Sequence, residues 1–517
     1  MTALVAVAGL AGAAFVSAAV AATPAAAEDG SFLLPGNLLV SRSVYAGTAG
    51  TVTAGQTILP PGCVTGCVTA NSAGTYPGVW NNDQADGNFG VTSPVFLDQL
   101  TQSGRLVSSM AISDRRLVTS FSSKSELALN LSTDGRYITF MGYVTPVNRL
   151  DVSNSNTPGA IDHTNPVPGA NFRAVAQLDS RGRLHITETN AYSGNNGRAA
   201  IRNDSTGVYY TAGNGGNGGN PQPAAIITGT GAQFIRPGSP PAATTPLGSF
   251  NVTQLGDPAD KIGKDDNFRG LTVFDNVVYY TKGSGGNGVN TVYFLDTTGH
   301  ACQNGVGLPR RGARLPTAPL AFDPATVQSQ GLPNNMCVLA GFPTAEKSTT
   351  SFPFGVWFAN PDTLYVADEG NANTTFAGGT YTAAAAQTSA GLQKWVRVNG
   401  SWHLAYTLTS GLALGTPYQV PGYPTGVNPA TGLPWAPATD GLRNITGRVN
   451  RDGTVTIWAV TSTVSGNGDI GADPNRLVAV TDRLSAASAG GERFTTVRSS
   501  RAGEVLRGVS FTPGSRS

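Results

Sequence analysis

The stretch "FGVWFANPDTLYVADEGN" (Phe354–Asn371), with "GLQKWVRVNGSWHLAYTL" (Gly391–Leu408) after it, decides the fold. Each half holds two runs of β-branched and aromatic residues separated by Asn, Pro, Asp or Gly, which predicts four strands joined by turns. A four-stranded unit repeated in series is the sequence mark of a β-propeller.

The unit recurs on both sides. One begins "SELALNLSTDGRYITFMGY" at Ser125 and continues "RAVAQLDSRGRLHITET" from Arg173. The next begins "GRAAIRNDSTGVYYTAG" at Gly197, and another is "FRGLTVFDNVVYYTKG" from Phe268 with "NTVYFLD" from Asn290. After the opening stretch comes "LRNITGRVNRDGTVTIWAV" from Leu442 with "NRLVAVTD" from Asn475. The last run, "LRGVSFTP" from Leu506, has no partners after it, and the runs near Asn37, Pro94 and Arg105 have no first strand before them. Joined, they make a sixth unit that closes the ring through both chain ends and removes the exposed sheet edges of an open array. The expectation is all-β: one propeller of six four-stranded blades, with seven open if the loop-rich 296–350 region hides strands.

The chain has 517 residues, 40% hydrophobic and 12% charged, with 66 Gly, 33 Pro and a formal charge of +2. This suits a compact, turn-rich β protein and gives no reason to propose nucleic acid as a partner. Each blade has more residues than the roughly 40–50 of common propeller repeats. The excess falls in four Pro-, Gly- and Asn-rich insertions, 45–92, 145–170, 296–350 and 410–440, where specificity on a rigid scaffold usually resides.

Residues 1–27 read as an export signal, an Ala/Gly/Val-rich run ending in small residues, with the propeller domain spanning 28–517. No basic residue precedes that run, which leaves open a start further upstream and, as the other reading, a retained membrane anchor. No other segment is apolar for long enough to span a bilayer. The protein is expected to be secreted or periplasmic and monomeric. In an oxidising compartment the four cysteines form disulfides, and Cys63–Cys67 with Cys302–Cys337 is the simplest of three connectivities.

Laid out this way, the chain resembles the secreted bacterial propellers in the style of NHL-repeat proteins. "SPVFLDQLTQSGRLVSSMAI", "LNLSTDGRYITFMGY", "PFGVWFANPDTLYVADEGN", "GLRNITGRV" and the closing "LRGVSFTP" carry the likeness. The resemblance covers nearly all of the mature chain. It implies a fold and no particular chemistry, because such propellers serve as hydrolases, lyases, lactonases and binding platforms.

Aligning the first strand of each unit places Arg198, Arg269, Arg443 and Arg507 at one equivalent position, with Glu126 and Phe354 in the remaining two units. Four guanidinium forks around one channel mouth suit a carboxylate, sulfate or phosphate. The competing reading pairs each arginine locally: Asp265 and Asp266 with Arg269, Asp440 with Arg443, Glu504 with Arg507. Gly/Asn loops after the second strands, at Gly213, Gly283, Asp368 and Ser465, share the arginine face. They lack the ending of a phosphate-binding P-loop, and tight turns account for them. "NNDQADGN" with Asp83 and Asp86, and "DEGNAN" with Asp368, offer oxygens suited to Ca²⁺ without the spacing of an EF-hand loop.

His163, His185, His300 and His403 match in number the four-histidine iron site of propeller oxygenases, but none starts an inner strand. Motifs for serine hydrolase, zincin and dinucleotide chemistry are absent from the sequence. Tyr143, Tyr192 and Tyr280 stand near blade tops as acid–base candidates. The leading expectation is a recognition or scaffold propeller binding an anionic small molecule, glycan or protein partner on the channel face. The alternative is an extracellular hydrolase or lyase, possible with Ca²⁺, in which Glu126 and Asp368 or Glu369 act on an acidic substrate held by the arginines.

Overall fold

The computed structural model describes residues 32–515 apart from 46, 48, 49, 51, 66, 86–88, 114, 123–125, 239, 240, 242, 347, 349, 469 and 470, so residues 1–27, read above as an export signal, lie outside the described residues. Six antiparallel sheets of the alternating apolar runs stand as blades around a channel. Blade one joins the two chain ends: Glu504–Phe511 is innermost, followed outward by Leu38–Val44, Val95–Leu100 and Leu106–Ile112. The inner strands of blades two to six are Asn130–Leu131, Gly197–Asn203, Gly270–Phe274, Pro353–Asn360 and Ala438–Val449.

The 296–350 region contributes strands without adding a blade. Met336–Leu339 is the outer strand of blade four, and the small hairpin Cys302–Gln303 with Val306–Gly307 extends the same sheet. The Cys302–Cys337 disulfide ties that hairpin to the outer strand, and Cys63–Cys67 closes a turn in the first insertion. The count is therefore six.

Glycine after the aligned inner-strand position, following Arg269, Arg507 and Phe354, has a packing role. A Cβ on Gly270 would lie 2.3 Å from the Phe354 carbonyl oxygen, one on Gly508 2.4 Å from that of Leu127, and one on Gly355 2.5 Å from that of Arg443. Each contact joins one inner strand to the backbone of the next blade, so only a residue without a side chain lets the ring close this tightly. Polar links reinforce it: Thr139 Oγ1 donates to the Ala200 carbonyl at 2.6 Å, and the Val509 amide donates to Asn444 Oδ1 at 2.7 Å. Between blades five and six, Lys394 Nζ meets Asp482 at 3.1 Å, with both side chains fully buried.

Two insertions meet above blades one and six. Tyr45, Tyr76 and Trp80 of the first pack with Phe121 and with Tyr423 of the fourth, at centroid distances of 5.0 to 5.9 Å. Asn428 Nδ2 donates to Asn81 Oδ1 at 2.8 Å beside them. The result is an aromatic cluster at the end of blade one at which its inner strand begins, where it also packs on Val505.

Candidate functional site at the channel head

Arg198, Arg269, Arg443 and Arg507 expose between 2% and 6% of their surface. Local pairing explains why they project as they do. In blades one, three and six the inner-strand register skips a residue at this level: Arg507, Arg198, and Arg443 with Asn444; blade five does the same at Phe354. A bulge breaks the in–out alternation and re-aims the side chain it carries.

Arg198, Arg269 and Arg443 are electrostatic neighbours. Burial, then the charge of Arg269, pulls Arg198 well below its ordinary value, against the opposing pull of Glu369 and Glu126. Burial also lowers Arg269, with Glu369 raising it and Arg443 lowering it. Arg198 Nε donates to Asn196 Oδ1 at 3.0 Å, and its Nη1 donates to the Phe268 carbonyl at 2.8 Å and to Asn267 Oδ1. All of these acceptors are neutral. Arg443 Nε donates to Glu369 Oε2 at 3.1 Å, while its buried Nη2 has no hydrogen-bond acceptor among the described residues. Arg507 Nε donates to Ser43 Oγ at 3.2 Å within blade one.

The carboxylates adjacent in sequence make further hydrogen bonds of their own, and Asp440 also acts on Arg443 through its charge. Glu504 pairs with Arg42 at 2.9 Å, and Asp440 accepts from the Ala372 amide at 2.8 Å and from Gln387 Nε2 at 2.7 Å. Asp265 accepts from the Val252 amide, and Asp266 from the Phe250 amide and the Ser249 hydroxyl. Burial, the largest influence, pushes Asp265, Asp266 and Asp440 each up to about 7. They brace the Gly/Asn loops, which lie at the arginine end of the strands.

The other candidates are tightly held. Glu126 accepts from Thr119 Oγ1 at 2.7 Å, the Ser120 amide at 3.0 Å and the Tyr143 hydroxyl. Asp368 accepts from the Phe352 and Gly370 amides and from Gln393, and burial pushes it up to about 6. Burial, followed by Glu126, raises Tyr143 well above its ordinary value; burial likewise raises Tyr192 and Tyr280. The four histidines are exposed and scattered. Asp86 lies outside the described residues, as does the side chain of Asp83.

Sequence reading missed two cations here. Arg173, fully buried on the third strand of blade two, donates to the carbonyls of Ser153, Ser155, Asn171 and Asn195 and is lowered to about 10 by burial. Lys282 of blade four donates to the Ser284 carbonyl and Asn290, and burial followed by Arg269 and the opposing Asp265 brings it to about 7. No motif marks either residue; only their full burial does.

The fold defines the class: a six-bladed β-propeller. No family model matches the chain, and no curated protein matches it. Among solved structures it is similar to the PQQ-bound form of an aldose sugar dehydrogenase from Streptomyces coelicolor, at 9% identity over 56% of this chain and 90% of that one, TM-score 0.21. It is also similar to an ancestral GH74 enzyme, at 7% identity over 78% and 55%, TM-score 0.25. Drosophila semaphorin 1a, extracellular domains 1–2, aligns at 10% identity over 77% and 84%, TM-score 0.25. Likenesses at these scores carry no functional argument, so the class rests on strand order and register. No helix among the described residues is long and apolar enough to cross a membrane.

Proposed function

We propose that this is an exported recognition propeller that holds a small anionic group at the head of its channel through Arg198, Arg269, Arg443 and Arg507. The group is a carboxylate, phosphate or sulfate, free or borne by a sugar. Arg198 carries the reading: it is buried, it lies beside the charge of Arg269, and its hydrogen bonds go to neutral acceptors. A buried cation costs free energy unless an opposite charge meets it, and guanidinium forks match oxyanions with two parallel bonds. The bulges that aim Arg198, Arg443 and Arg507 support the same reading. Binding is favoured over hydrolysis because Glu126 and Asp368 spend their oxygens on the protein's own donors.

The test is a thermal-shift titration with sulfate, phosphate, glucuronate and, separately, Ca²⁺, on wild type, Arg198→Gln and Arg443→Gln. A ligand at 100 times its Kd stabilises the native state by about 2.7 kcal/mol. One anion class should raise the melting temperature of the wild type and leave both variants unmoved. A folded wild type that responds to none of the anions refutes the reading, and a response to Ca²⁺ alone would move the site to the acidic loops.

A further inference from the structure

At the other end of the inner strands lies a second basic feature, independent of the channel head. A cavity of about 410 Å³ opens between blades four and five, lined by Phe274, Tyr279, Phe358 and Trp402 and rimmed by Arg310, Arg311 and Arg397. It adjoins a cavity of about 340 Å³ at the channel mouth, to which all six inner strands contribute; Phe274 and Phe358 line both. The two cavities thus share one aromatic wall, where these rings stack at 4.5 Å with an interplanar angle of 8°. Asn130, Thr272 and Thr446 supply hydroxyl and amide groups at the channel end.

The rim is built to stay in place. The 308–313 segment that bears Arg310 and Arg311 follows the hairpin anchored by Cys302–Cys337, and beyond it the Pro316 carbonyl accepts from Tyr210 at 2.5 Å. Arg397 is held by Asp362 at 2.7 Å, and Asp275 is the carboxylate lining the cavity. Arg310 and Arg311 are exposed and make no ion pair among the described residues. Their charges are therefore available to a ligand from solution.

We infer that this trough is a binding site for an acidic oligosaccharide, a chain of uronate-type sugars. Tyr279, Phe358 and Trp402 are buried behind the wall, and Phe274 is the part-exposed ring on which the C–H face of a sugar can pack; sugar hydroxyls match the Thr and Asn groups, and each carboxylate matches an arginine fork. A neutral glycan would leave Arg310 and Arg311 unused, and an acidic peptide would leave the part-exposed Phe274 without a flat partner.

Isothermal titration calorimetry on the full chain tests this with tetragalacturonate, cellotetraose and a tetraglutamate peptide. The variants are Arg310→Ala/Arg311→Ala, Phe274→Ala and, as the channel-head control, Arg198→Gln; circular dichroism confirms that each is folded. Tetragalacturonate should bind the wild type and Arg198→Gln alike, with affinity lowered about ten-fold or more in the double arginine variant, since a change of about 1.4 kcal/mol is ten-fold. Phe274→Ala, if folded, should weaken it too. The assignment is overturned by absence of saturable binding, by equal binding of cellotetraose or tetraglutamate, or by full retention in Arg310→Ala/Arg311→Ala.

Discussion

Gly355→Ala should destabilise the protein although it adds a single methyl group. The new Cβ would sit 2.5 Å from the Arg443 carbonyl oxygen and 3.1 Å from the Ile445 amide nitrogen, both backbone atoms of the neighbouring inner strand. Neither can rotate away, so a whole strand of the ring must shift, and overpacking of this kind costs about 1–3 kcal/mol. Gly355 has no positive φ, so backbone strain adds nothing, while the lost freedom of the unfolded chain returns about 0.4–1 kcal/mol. The expected net loss is about 1–2 kcal/mol. In a chain of this length the melting temperature moves only about 1 °C per kcal/mol, so the denaturant midpoint is the better measurement. Gly286→Ala is the control, because its Cβ meets nothing within 4 Å. Gly508→Ala, in a strand not adjacent to that of Gly355, should add its own loss independently, giving about 2–4 kcal/mol for the pair. Gly355→Ala with the midpoint of Gly286→Ala would refute the claim that these glycines set the spacing of the ring.

Three further outcomes follow from the buried polar groups and the longer disulfide. Asp482 accepts from Tyr365 and Tyr406 as well as from Lys394, so Asp482→Ala should cost about 3–5 kcal/mol, measured by chemical denaturation, with Lys394→Met/Asp482→Leu recovering part of it. Asp440 is pushed up to about 7, chiefly by burial, so the folded state holds its proton more tightly than the unfolded chain, whose aspartates titrate near about 4. Its stabilisation is fully present below the unfolded value and is lost as pH rises through about 7. Lys282, lowered to about 7, runs the opposite way, its share being lost as pH falls through that value, so the comparison is made by variant: Asp440→Asn should lose less stability than wild type between pH 5 and pH 8. Cys302 and Cys337 are 35 residues apart, and Cys302→Ala/Cys337→Ala should lower unfolding free energy by about 4 kcal/mol on the loop-closure relation.

Much of the fold could be read from local patterns. The runs around Tyr137–Val144, Val277–Lys282 and Thr363–Asp368 alternate and end at turn residues, so their strands were evident, and so was the closing of the ring by Leu38–Val44 with Glu504–Phe511. The outer strand Met336–Leu339 was hidden because only four apolar residues stand out from a long loop. At the channel head, equivalent positions brought out Arg198, Arg269, Arg443 and Arg507. The hydrogen bonds of Glu504 and Asp440 could not be read there, because these side chains reach Arg42 and the Ala372 amide across distances the sequence does not encode, while the charge of Asp440 still bears on Arg443.

By itself the sequence determined the all-β class, the repeat and the place of the arginines within it, because strand periodicity and turn chemistry act between residues a few positions apart. Tertiary structure alone decided that Arg198, Arg443 and Arg507 lie on bulges, that the glycine after Arg269 or Arg507 touches the next blade, and that Arg310 and Arg311 stand beside Phe274 and Phe358. Burial, charge pairing and close approach arise between segments distant along the chain, and they exist only once the ring has closed.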